Sequence, residues 1–262
     1  MEYLIIILVA LFVAGLTFFS GFGLGTLLMP AFALFFPIEV AIAATAVVHL
    51  ANNIFKIFLI GKHTNFNILA RFAIPAAIFA AVGAYLLSYL SKLEPIFEYT
   101  LFDSSFFVEP IKLIVAILMG IFAYVELTPK LKDLSIDQKY IPFGGVLSGF
   151  FGGLSGHQGA LRTAFLIHAG LEKKAFIGTM VSSAVLIDVS RLIIYGTSFF
   201  AESFSILSAR GSLDLILYGS LAAFVGSAIG RYLLEKVTFD GIQRTVAVML
   251  VILAIGLAAG II

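Results

Sequence analysis

The sequence predicts an all-α polytopic membrane protein made of two inverted repeats, each a broken, re-entrant helical hairpin plus three transmembrane helices. Composition is the first reason. Apolar residues fill 61% of the 262 positions and charged residues only 12%, against about 45–50% and about 25% in a soluble domain. Patterning is the second. The apolar residues gather in blocks at 38–60, 72–90, 111–125, 213–234 and 242–262, each near the roughly 20 residues that cross a ~30 Å hydrocarbon core. Self-similarity is the third. Sliding the chain by 134 residues superposes Gly15 on Gly149, Gly25 on Gly159, Ala41 on Ala175, Thr45 on Thr179 and Val47 on Val181. Val82-Gly83-Ala84 meets Val225-Gly226-Ser227 after a slightly larger shift, as a longer loop near 196–212 requires.

Each repeat opens on an apolar stretch, 4–36 and 141–170. As one helix, about 30 residues would run ~45–50 Å, too long for a single upright span and too short for two. Glycines crowd the middle of both: Ser20-Gly21-Phe22-Gly23-Leu24-Gly25, and Gly152-Gly153-Leu154-Ser155-Gly156-His157-Gln158-Gly159. Glycine permits non-helical backbone and close approach, so the expected form is two half-helices meeting at an elbow. Broken backbone inside a membrane needs protein or a wet cavity around it. A tilted, kinked helix is the alternative, with Gly145/Gly149 and Gly226/Gly230 serving only as Gly-x-x-x-Gly packing contacts.

Loop charge supplies an orientation. Lys62 and Arg71 share one loop, Lys130, Lys132 and Lys139 a second, Lys173 and Lys174 a third, Lys236 and Arg244 a fourth. The positive-inside rule puts all four in the cytoplasm. The stretch 141–170 must then leave and return on that side, and both termini lie outside. The division is 1–127 for the first repeat, 128–140 for a cytoplasmic linker and 141–262 for the second repeat. Met1-Glu2-Tyr3 lacks the basic start of a signal peptide, so the first apolar run is expected to belong to the fold.

Several function classes fall away. The net charge of +1 has no basic cluster for nucleic acid, and the absence of cysteine removes disulfide frameworks and thiolate metal sites. Gly61-Lys62-His63-Thr64 lacks the glycine-rich loop of a nucleotide site. His63 and His168 have no metal-ligand spacing, and neither a metal nor a cofactor is expected.

The chemistry is expected where half-helix N-termini face the midplane, because their N–H groups attract anions. In the second hairpin the returning half-helix should begin near Gly159, after Ser155, His157 and Gln158, with Arg162 one turn on. An arginine at that depth is costly unless it faces a cavity or a partner, and its planar fork suits oxyanions. The counterparts of His157, Gln158 and Arg162 in the first half are Gly23, Leu24 and Leu28, so Gly23 and Gly25 contribute backbone alone. The next helix of that half carries Thr45, His49, Asn52, Asn53 and Lys56 at one-face spacing. His49 and His157 are the candidates for proton coupling. Lys56 is read equally as a cavity residue or as reaching headgroups. The matching second-half face is Thr179, Ser182, Ser183 and Ser190, while Asp188 and Arg191, three apart, read as an internal ion pair on another side.

At these residues the sequence resembles the sulfite exporter TauE/SafE family. The likeness rests on Ala14-Gly15, Phe19-Ser20-Gly21-Phe22-Gly23-Leu24-Gly25, Pro30 and Ala41 with Thr45. It rests equally on Ser148-Gly149-Phe150-Phe151-Gly152-Gly153-Leu154-Ser155-Gly156-His157-Gln158-Gly159 and Ala175 with Thr179. Gln158 stands where typical members carry glycine. The resemblance implies transport of a sulfur-containing anion, such as sulfite, thiosulfate or an organosulfonate, through a cytoplasmic membrane. The expectation is therefore a secondary transporter working by alternating access, with a small anion and membrane lipid as partners and a homodimer left open. An anion channel of the same architecture is the first alternative. An intramembrane enzyme and a passive scaffold rank below it, since no zinc, diphosphate or nucleophile–base motif appears.

Overall fold

The computed structural model describes residues 2–18, 23–101, 104–128, 136–198, 212–233 and 239–261. Among them are ten helices and one two-stranded hairpin. The opening stretch is broken in two, α1 (Glu2–Leu16) and α2 (Leu24–Ala33). Thr17 Oγ1 donates back to the Val13 carbonyl at 2.5 Å at the end of α1. Gly23 takes φ 118, a conformation side chains resist, and launches α2. The elbow expected across Gly21 to Gly25 thus lies ahead of Leu24, and Gly25 falls inside the first turn of α2. Phe19, Ser20, Gly21 and Phe22 lie outside the described residues, as do Lys130, Lys132 and Lys236.

Helix α3 (Ile38–Ile60) and helix α4 (Phe66–Leu90) are joined by a single tight turn. Asn65 caps α4, its side chain accepting from the Ile68 N–H at 3.0 Å. Between α4 and α5 (Pro110–Leu127), where the sequence shows only a connection, the structure has an antiparallel hairpin, β1 (Phe97–Leu101) and β2 (Ser104–Val108). Phe97, Tyr99, Phe106 and Val108 share one face, so alternation was present, in strands of only five residues. Tyr99 stacks on Phe106 and donates its hydroxyl to the Ala259 carbonyl at 2.5 Å, which ties the hairpin to the end of the last helix.

Helix α6 (Ile141–Ser155) stops at Gly156, φ 81, and α7 (Gly159–Leu166) starts three residues later. The chain reverses there. Ser148 Oγ donates to the Gln158 carbonyl at 2.8 Å, and a Cβ at Gly144 would overlap the Phe165 ring while one at Gly152 would crowd Gln158 Cβ. The rest is α8 (Lys173–Ser198), α9 (Ser212–Leu233) and α10 (Phe239–Ala258).

Among the described residues, four helices are long and apolar enough to cross a membrane, over Ile38–His63, Phe66–Leu90, Lys173–Ser198 and Leu213–Gly230. Their outward faces carry large apolar side chains, with Phe58 82% exposed and Ile74, Ile78, Tyr85, Ile193 and Leu217 similarly placed. The interior holds His49, Asn53, Lys56, Gln158, Arg162, Asp188 and Arg191. In water that distribution would waste hydrocarbon burial and bury charge at a loss. In lipid it is the stable one, because the solvent is as apolar as leucine. The chain is a multi-pass membrane protein.

Helix pairing crosses between the halves. Helix α1 packs on α9 and α6 on α4; α3 packs on α9 and α8 on α4; α2 lies on α3 and α7 on α8; α3 meets α8, and α5 meets α10. Exchanging the halves turns this set of contacts into itself. The α6–α4 seam is backbone on backbone: a Cβ at Gly149 or Gly153 would overlap the carbonyl of Ala76 or Ala80. Gly226 and Gly230 meet Leu11 and Gly15 on α1 in the same way. The Gly-x-x-x-Gly pairs are packing contacts, and the helix breaks are present as well.

Candidate functional site

A small cavity lies between the two elbows. Its polar wall is His49, Asn53, Lys56 and Arg162; Thr17, Phe18, Leu24 and Val181 complete it. The side chains converge because α3 presents one face every three to four residues, and because the α6–α7 reversal drops Arg162 back toward that face. Arg162 is 1% exposed and Lys56 5%, so Lys56 does not reach headgroups. Its ammonium sits 5.2 Å from the centre of the Phe18 ring.

Behind the cavity runs a hydrogen-bonded chain. Arg162 Nη1 donates to Gln158 Oε1 at 3.0 Å, and Gln158 Nε2 donates to Asp188 Oδ1 at 2.8 Å. The same carboxylate oxygen accepts from Arg191 Nε at 3.0 Å and Nη2 at 2.7 Å. Its other oxygen, Oδ2, accepts from His49 Nδ1 at 2.6 Å. Arg191 Nη1 ends on the Gly152 carbonyl at 3.1 Å, and Tyr195 donates its hydroxyl to the Gly153 carbonyl, which pins the last turn of α6. Asn53 Nδ2 donates to the His49 carbonyl at 2.8 Å and lies 3.3 Å from Nε2 of the ring. The carboxylate must accept, so the Nδ1 proton is held on His49 and its Nε2 is left to receive or release one.

Asp188 is the principal difference from the sequence reading. It does pair with Arg191, yet it also binds His49 and Gln158 and so joins the two halves. Helical periodicity correctly puts it away from Thr179 and Ser183. It could not show that α8 has α3 on one flank and the α6–α7 hairpin on the other. The polar face chosen instead on α8 serves packing. Thr179 Oγ1 accepts from the Asn65 N–H at 3.0 Å, Ser182 Oγ lies 2.9 Å from Thr64 Oγ1, and Ser190 Oγ donates to the Ala77 carbonyl at 2.5 Å.

The other singled-out residues divide. Gly159 is the first residue of α7, where unpaired N–H groups begin. Gly25 packs beside the Gly156 carbonyl and the His49 ring, so the two elbows touch. His157 turns away from the cavity wall and stacks flat on Phe122 of α5, 5.4 Å between centres and 4° between planes. Its Nδ1 lies 3.0 Å from Ser155 Oγ. Asn52 faces α9, its Oδ1 accepting from Ser227 Oγ at 2.8 Å. Thr17 and Phe18 line the cavity and were not singled out; their place beside the first elbow was the available signal.

A helical bundle that is apolar outside, charged within and broken at two touching elbows defines the class of a polytopic membrane transporter. The chain belongs to the sulfite exporter TauE/SafE family, whose model matches residues 3–257. No curated protein and no solved structure matches it. Membership sets the coarse function, transport of a sulfur-containing anion across a membrane rather than catalysis.

Proposed function

We propose that the protein is a secondary transporter that carries a small sulfur-containing anion across the cytoplasmic membrane by alternating access. One observation carries this reading: Arg162 of α7 and Lys56 of α3 are buried and face one cavity, which Leu24, the first residue of α2, also lines. Among the buried charged side chains described, Lys56, Arg162 and Arg191 stand against Asp188 alone. A cavity so charged draws anions and repels cations.

In this reading Arg162 is the main charge partner and the α7 N-terminus near Gly159 offers N–H groups to the oxyanion. His49 and Asn53 supply hydrogen bonds from the facing helix. A proton taken up at His49 Nε2 would convert an acceptor on the cavity wall into a donor, which is how anion and proton would move together. The two halves are inverted repeats, divided at the linker 128–140. The exchange of helix pairings between halves supports that division, and the four basic loops support termini outside the cell. The halves move around the shared site.

The test is ligand-induced thermal stabilisation of the purified protein by sulfite and thiosulfate. Wild type should be stabilised. Arg162→Ala should remain folded and lose the response, and an unchanged response would remove Arg162 from the site.

A further inference from the structure

We infer that Lys56 is the second cationic contact of the transported anion, and that with Arg162 it selects a divalent oxyanion over a monovalent one. The inference rests on the site proposed above and assigns its charge preference.

Lys56 lies two turns beyond His49 and almost one turn beyond Asn53 on the same face of α3. A lysine near a helix end ordinarily extends its stem to water; this one is turned inward and closed over. Among the described residues no carboxylate comes within ion-pair distance of it. The contrast with Arg191 is direct, since that guanidinium is met by Asp188 through two nitrogens. What Lys56 does have is the Phe18 ring, whose face favours the cationic form without neutralising it.

Two cations on one small cavity repel each other strongly in a medium of low dielectric. A monovalent anion between them matches one unit of their positive charge, whereas a divalent one matches two. The geometry of the two groups adds to this. A guanidinium fork takes two oxygens of one anion, while an ammonium acts as a point charge on a third atom. A pyramidal or tetrahedral oxyanion with its charge spread over several oxygens or a terminal sulfur fits that division of roles. Specificity then arises as a difference of affinities, part of it from the repulsion that a monovalent ligand fails to relieve.

Equilibrium binding to the purified full-length protein decides the matter, with thiosulfate as the dianion and methanesulfonate as the monoanion. Wild type should bind thiosulfate at least about tenfold more tightly, the scale of one additional charge contact. Lys56→Gln should weaken thiosulfate at least about thirtyfold and methanesulfonate much less, which collapses the preference, whereas Lys56→Arg should keep it. Equal affinities in wild type, or Lys56→Gln weakening both anions by one factor, would overturn the inference. Arg162→Ala separates the two ideas. If it still binds thiosulfate, the proposed site fails and this inference with it; if it does not, an intact preference in Lys56→Gln sinks Lys56 alone. Where Lys56→Gln does not fold, the wild-type ratio decides.

Discussion

At the first break the chain passes through Gly23 into Leu24, Gly25 and Leu28; at the second it passes through Gly156 into Gln158, Gly159 and Arg162. Backbone geometry is similar, a glycine at positive φ followed by a short helix. The chemistry is opposite. Every residue of α2 is buried, and all but Thr26 are apolar or glycine, so that half-helix is held by packing. The second is held by charge: Gln158, Asp188, Arg191 and Tyr195 bind it to α8 and, through His49, to α3. The two breaks differ in what holds them, and only the second carries a polar load. Burying a charged network is tolerable there because its members satisfy one another, Asp188 accepting from His49, Gln158 and Arg191.

The contrast can be broken most severely at Asp188. Asp188→Asn removes the carboxylate that Arg191, Gln158 and His49 share and should lower unfolding stability in detergent by about 3–5 kcal/mol, the range for stripping one partner from a buried ion pair. A loss below about 1 kcal/mol would mean that charge does not hold the second elbow. Gly149→Val drives a branched side chain into the Ala76 carbonyl and should cost about 1–3 kcal/mol or more, read as a lower midpoint of thermal unfolding. The glycine elbows then sharpen the comparison. A Cβ at Gly23 would lie 2.5 Å from Thr17 Cγ2, while one at Gly156 meets nothing nearer than Arg191 Nη1 at 3.5 Å. Both alanine variants bear the left-handed penalty of about 1–2 kcal/mol, so Gly23→Ala should be the more destabilised of the two. Leu28→Met, at the counterpart of Arg162, should cost under about 1.5 kcal/mol, as volume-conserving core exchanges do. A loss of anion response in that variant would show that the apolar elbow touches substrate.

Much of this was legible from residue order. The unusual arginine, the broken opening helices and the polar face of α3 follow from transfer free energies and helical spacing, which are local properties. The site's hub was not. Asp188 was visible as a partner of Arg191 because three-residue spacing is local, but its bonds to His49 and Gln158 span 139 and 30 positions. His157 and Asn52 had the right residue type and depth, and the structure turns each toward a neighbour, Phe122 and Ser227, off the cavity wall. The hairpin at 97–108 is built from strands of five residues each, too short for two-residue alternation to stand out.

By itself the sequence determined that the chain lives in a bilayer, where its helices break, and that cationic groups are carried into the interior. Each of these depends on what a segment of about 20 residues does in hydrocarbon. Only the tertiary structure decided which of those groups meet. A helix's own periodicity cannot say which neighbours it meets, and here α8 packs against α3 as well as the α6–α7 hairpin, which turns Asp188 from a local counter-ion into one of the links between the two halves.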